Sequence, residues 1–130
     1  MSPLLLVGAL ALVAPQDLSA YEGVGSDSFA AWSFTSGQVT VNGDTHTTSV
    51  LARYVTPLPV ENSSVTVAYS IHQITFHCAE RTADWAAGMN YAADGSEIVH
   101  GTATTGEAWS ASTPGFIELA TQVCALEHSL

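Results

Sequence analysis

The chain has 130 residues, enough for one domain, and carries a formal charge of −10, from twelve acidic residues against two arginines and no lysine. A surface so acidic repels phosphate backbones and anionic lipid headgroups, which sets aside nucleic-acid binding and polybasic membrane contact. Hydrophobic residues make up 47% of the chain, a composition for a folded domain and not for a disordered tail.

The apolar run from Leu4 to Ala14 has the length of a signal-peptide core and is too short to span a bilayer. Leu18-Ser19-Ala20 supplies small residues for cleavage, so residues 1–20 are expected to be a signal peptide; the other reading is a buried N-terminal strand or helix. Residues 21–28, with Gly23, Gly25, Ser26, Asp27 and Ser28, read as a flexible leader, and 29–130 as a single domain. The expected location is therefore exported: periplasmic, cell-surface or secreted.

Phe29 to Phe34 reads as a short strand anchored by Trp32, and Gln38 to Val41 as another running into the turn Asn42-Gly43-Asp44. From Thr45 to Val55 a long strand places Val50, Ala52 and Tyr54 on one face and Leu51, Arg53 and Val55 on the other, until Pro57-Leu58-Pro59 ends it. Val65, Val67, Tyr69 and Ile71 alternate along the next strand, then Ile74, Phe76 and Cys78 alternate in the opposite phase, which predicts a bulge near His72–Gln73. Ala83, Trp85, Ala87, Met89 and Tyr91 alternate in turn, and Asp94-Gly95 folds Glu97 to Thr102 back as a hairpin. Residues 103–112 show no pattern. Thr113-Pro114 then starts a helix whose apolar face holds Phe116, Leu119, Ala120, Val123 and Cys124. The fold class is α+β, an antiparallel sheet of five or six strands with a C-terminal helix packed on it.

Cys78 and Cys124 stand 46 positions apart and fit neither a zinc pattern nor a Cys-x-x-Cys redox pair. In an exported chain their even count favours one disulfide, from the helix to the strand, with two buried free thiols as the alternative. Closing that loop would contribute about 3–4 kcal/mol by restricting the unfolded chain. Five histidines (His46, His72, His77, His100 and His128) raise the question of a metal. His72 and His77 point to opposite faces of a regular strand, and no ligand spacing is present, so scattered surface histidines are the plainer reading and no metal or cofactor is expected. No nucleophile, metalloprotease or phosphate-loop motif occurs, and Glu80 and Asp84 read as a solvated face, so the chain is not expected to be an enzyme. Trp32, Trp85 and Trp109 fit core or sheet-face positions; one standing exposed beside Tyr54 or Tyr69 would form an aromatic contact patch.

The order of these features resembles the surface-adhesin protein E-like domain of Gram-negative bacteria. It comprises the leader before Trp32, Gly43-Asp44-Thr45, a long strand ending at Thr56-Pro57, Val65-x-Val67-x-Tyr69, Phe76-x-Cys78, a strand to Tyr91 closed by Ala93-Asp94-Gly95, Trp109, Thr113-Pro114-Gly115 and Val123-Cys124, and covers residues 30–125. The resemblance implies an antiparallel sheet crossed by a C-terminal helix, with a disulfide between the two cysteines. Members often carry several lysines and arginines where this chain has almost none, so a basic binding surface is not carried over. The expected function is an exported, non-catalytic binding module, adhesin-like, contacting a host or envelope protein or an extracellular polymer. The alternatives are an accessory envelope protein without adhesive activity and, third, a periplasmic metal-binding or enzymatic protein.

Overall fold

A computed structural model describes residues 18–127. Positions 1–17 of the expected signal peptide, and His128, lie outside the described residues. Two long strands form the spine: β4 (Thr45–Pro59) and β5 (Thr66–His77), paired antiparallel from Thr45 opposite His77 to Arg53 opposite Tyr69. Their β-branched and aromatic residues suit a pleated surface with both faces partly covered. Before them come β1 (Tyr21–Ser26), β2 (Ala30–Thr35) and β3 (Thr40–Asn42); after them β6 (Thr82–Trp85), β7 (Met89–Tyr91), β8 (Glu97–His100), β9 (Thr104–Ala108) and helix α1 (Pro114–Cys124).

The nine described strands make six columns. β2 and β3 lie end to end along one side of β4, β6 and β7 along the free side of β5, and β9 and β8 beside those in turn. β1 pairs with β2 and closes one edge. The antiparallel sheet with a helix packed on it is thus present as expected, with three of its columns broken in the middle.

Four local expectations change. The segment read as a flexible leader holds strand β1, fixed by backbone pairing to β2 from Tyr21 opposite Thr35 to Ser26 opposite Ala31. The prolines do not end β4: between Arg53–Tyr69 and Leu58–Val67 the chain advances five steps against two, so Pro57 falls in a bulged stretch where no ladder donor is needed. The bulge expected in β5 lies on its neighbour instead. Between Trp85 opposite Ile74 and Met89 opposite Ile71 there are four steps against three, so the extra residue sits at 86–88, facing His72 and Gln73. The phase change in β5 marks apolar residues on both sheet faces. Finally, residues 104–108, without pattern in sequence, form β9.

α1 lies on the face that carries Trp32, Phe34, Val50, Ile74, Phe76 and Ala83, and buries Phe116, Leu119, Ala120 and Val123 there. The aromatic rings interlock, with Phe116 stacked on Trp85 at 5.2 Å and edge-on to Trp32 at 5.3 Å between centroids. Backbone meets backbone where β1 passes the helix start. A Cβ on Gly115 would lie 2.7 Å from both Trp32 Cδ1 and the Asp27 carboxylate, and one on Gly25 would strike the Gly115 carbonyl, so neither position admits a side chain without displacement.

The Asp27 carboxylate fixes this junction. Its Oδ1 accepts from the N–H groups of Phe29 and Ala30 at 2.8 and 2.9 Å, and its Oδ2 accepts from Gly115 N–H at 2.6 Å, in the first turn of α1. Desolvation pushes this carboxyl up. The nearby Thr113 hydroxyl, which lacks full hydrogen-bond geometry, and the three N–H donors outweigh that and bring its pKa to about 2. At the other end of the helix the disulfide Cys78–Cys124, Cα atoms 5.8 Å apart, ties the residue after β5 to the last residue of α1.

Candidate functional surface

Alternation along β4 sends Val50 and Ala52 under the helix and Leu51 and Arg53 to the opposite, outer face. There Leu51, Tyr69 and Tyr91 form a second, smaller cluster with Leu18, Tyr21, Ile71 and Met89 packed against it. Tyr69 and Tyr91, cross-strand partners on β5 and β7, stack at 4.9 Å. Tyr21 on β1 exchanges a hydrogen bond with Ser49 of β4 at 2.7 Å. Burial raises the pKa of both stacked tyrosines; around Tyr69, Arg53 opposes that and Asp94 adds to it, while Glu97 adds to it at Tyr91. Both hydroxyls therefore stay protonated at neutral pH.

Two grooves open beside Arg53. One, of about 630 Å³, runs along β1 and β2 past Tyr21, Gly23, Gly25 and Ser33; the other, of about 440 Å³, lies among Leu18, Tyr54, Tyr69 and Asp94, and Arg53 lines both. Arg53 is exposed and makes no salt bridge among the described residues. Arg81 differs: its guanidinium lies 4.7 Å from the ring centroid of Trp109 and covers the edge of the core. Nearby, Phe29 and Val55 leave apolar side chains in solvent, 41% and 62% exposed, joined by the Val55 N–H to Phe29 carbonyl bond.

The three tryptophans belong to the helix side: Trp32 and Trp109 are buried, and Trp85 packs against the core, so none stands on the outer face. The sequence noted Arg53 only as a face position. Its signal was a lone cation alternating with Leu51 and followed by a tyrosine, on a chain otherwise almost devoid of positive charge.

His72 and His77 take separate partners. His72 is held by the Ala86 carbonyl at 3.0 Å and lies edge-on to Trp85, in the notch that the bulge makes. His77 Nε2–H donates to Asp84 at 2.8 Å; this bond, with the Gly106 N–H, lowers the Asp84 pKa, so Asp84 is paired with His77 and not grouped with Glu80. Among the described residues, one set of ligand-type side chains converges: His46, Cys78 and Cys124, with ligand atoms within 4.8 Å of one another. No described helix is long and apolar enough to cross a membrane. No protein-family model, curated protein or solved structure matches the chain.

Proposed function

We propose that this chain is an exported, non-catalytic binding module of the surface-adhesin protein E-like type, and that it meets a protein or extracellular polymer through the outer sheet face. The observation that carries this reading is Arg53, exposed and without an ion pair where two tyrosine-bordered grooves meet. Arginine and tyrosine dominate binding energy at interfaces, because each combines a large contact area with directional hydrogen bonding. An acidic group on the partner fits this point, since the rest of the surface repels it and leaves one place where a carboxylate gains a bidentate contact. The disulfide suits an oxidising compartment.

The test is capture by the immobilised domain from envelope extracts and matrix proteins, run beside Arg53→Ala. Retention that falls about tenfold or more with Arg53→Ala supports the reading, as loss of a central arginine costs 2 kcal/mol or more. Equal retention by both, or none by either, overturns it. Equal retention directs attention to β1, which among the described residues pairs on one side only and could join an assembly by strand addition, the role of an accessory envelope protein.

A further inference from the structure

His46 lies on β4 opposite Phe76 and is 5% exposed, beside the disulfide. Its Nε2 is 2.7 Å from the carbonyl oxygen of Leu126, just beyond α1. A carbonyl can only accept, so Nε2 carries the proton, and in the neutral form of the ring Nδ1 is left with its lone pair. That nitrogen lies 3.3 Å from Cys78 Sγ, a disulfide sulfur with no proton to donate. In that tautomer a buried nitrogen lone pair faces a sulfur that, while joined to Cys124, has no proton to offer it. Such unmet capacity in a native interior calls for an explanation.

We propose that His46 Nδ1, Cys78 Sγ and Cys124 Sγ form a redox-gated site for a thiophilic d¹⁰ divalent cation of the zinc class. With the bridge closed the sulfurs are spent on each other. A phosphine reductant opens it: the phosphine becomes its oxide, with water supplying the oxygen and the two protons, and the sulfurs become thiols. The cation then displaces both thiol protons and binds two thiolates and one neutral imidazole, leaving the fourth tetrahedral position to water. A histidine ligand whose other nitrogen donates to a backbone carbonyl is the usual arrangement at zinc, since that bond fixes tautomer and ring orientation. The three ligand atoms already lie within 4.8 Å of one another, and they come from β4, the turn after β5 and the end of α1. One ion would therefore replace the covalent clasp between helix and sheet.

The sequence gives no warning of this set, because 32 positions separate His46 from Cys78 and 46 separate the cysteines. The test uses the full chain, oxidised or phosphine-reduced under anaerobic conditions, titrated with Co²⁺ and then with Zn²⁺. The expected result is thiolate-to-cobalt charge-transfer absorption in the reduced chain only, saturating at one equivalent and removed by Zn²⁺. Near-ultraviolet circular dichroism of the zinc-loaded chain should match that of the oxidised chain. His46→Gln should weaken Co²⁺ binding about tenfold or more. Absence of the thiolate band overturns the proposal. So does equal affinity in His46→Gln, which would mean that the cysteines bind alone, as in an unfolded chain. So does binding of one equivalent by the oxidised chain.

Discussion

The two faces of this sheet solve different problems. The face under α1 buries interlocked aromatic rings and places its one neighbouring cation, Arg81, against Trp109. The outer face has a smaller cluster of Leu51, Tyr69 and Tyr91, with hydroxyl-bearing rings, two open grooves and an arginine that pairs with no acid among the described residues. Burial on the first face is what holds the domain together. Polar reach on the second is what the proposed partner would use. Substitutions on the two faces should therefore separate stability from binding.

The widest separation is expected from Phe116→Ala, which removes the ring packed against Trp32, Phe76 and Trp85. The expected loss is about 3–5 kcal/mol of unfolding free energy, read from the midpoint of a urea titration. A loss under about 1 kcal/mol would show that the helix face is not the principal core.

A smaller effect is expected at the clasp between β1 and α1. Asp27→Ala leaves three N–H groups without their acceptor and should cost about 1–2 kcal/mol. The sign with pH follows from the depressed carboxyl. A folded-state pKa of about 2 against 3.8 unfolded gives stability that is fully present above the unfolded value and lost as pH falls through the folded one. Between about pH 4 and pH 2 the parent should lose stability faster than Asp27→Asn. Parallel acid curves would show that this carboxylate is not what joins the two elements.

The smallest change in stability, and the clearest contrast between faces, is expected from the two arginines. Arg81→Ala should cost about 0.5–1 kcal/mol through lost contact with Trp109. Arg53→Ala should stay within about 0.5 kcal/mol of the parent by thermal and urea unfolding. A destabilisation by Arg53→Ala as large as that by Arg81→Ala would make Arg53 a structural residue and weaken the proposed contact surface.

Much of the architecture was legible in sequence wherever apolar residues repeat at the period of their element. Val50 with Ala52, Ile74 with Phe76, and Phe116, Leu119, Ala120 and Val123 announced the sheet, its buried face and the helix that covers it. β1 was hidden because Tyr21-Glu22-Gly23-Val24-Gly25-Ser26 shows no alternation; its place is set by β2 and by α1, remote in sequence. β9 has no large apolar residue, and Gly106 at φ +67° interrupts it. The broken columns depend on where a collinear pair resumes after a bulge, which no single strand records. Of the proposed contact surface, the alternations of Leu51 with Arg53, Tyr69 with Ile71 and Met89 with Tyr91 could be read. The grooves and the turn of His46 toward the bridge arise from register between distant strands.

The tie from Asp27 to Gly115 spans 88 positions, so the first strand of the sheet and the start of its last helix are held by the same carboxylate. Contacts of such range form late, since the intervening chain must be ordered before they are gained. A nascent chain ending before Pro114 would expose Trp32, Ile74 and Phe76 to water and leave Asp27 without its most distant donor. Such a chain is an open sheet and not a smaller domain. Docking of α1 is thus the step that closes the core over Trp32, Ile74 and Phe76.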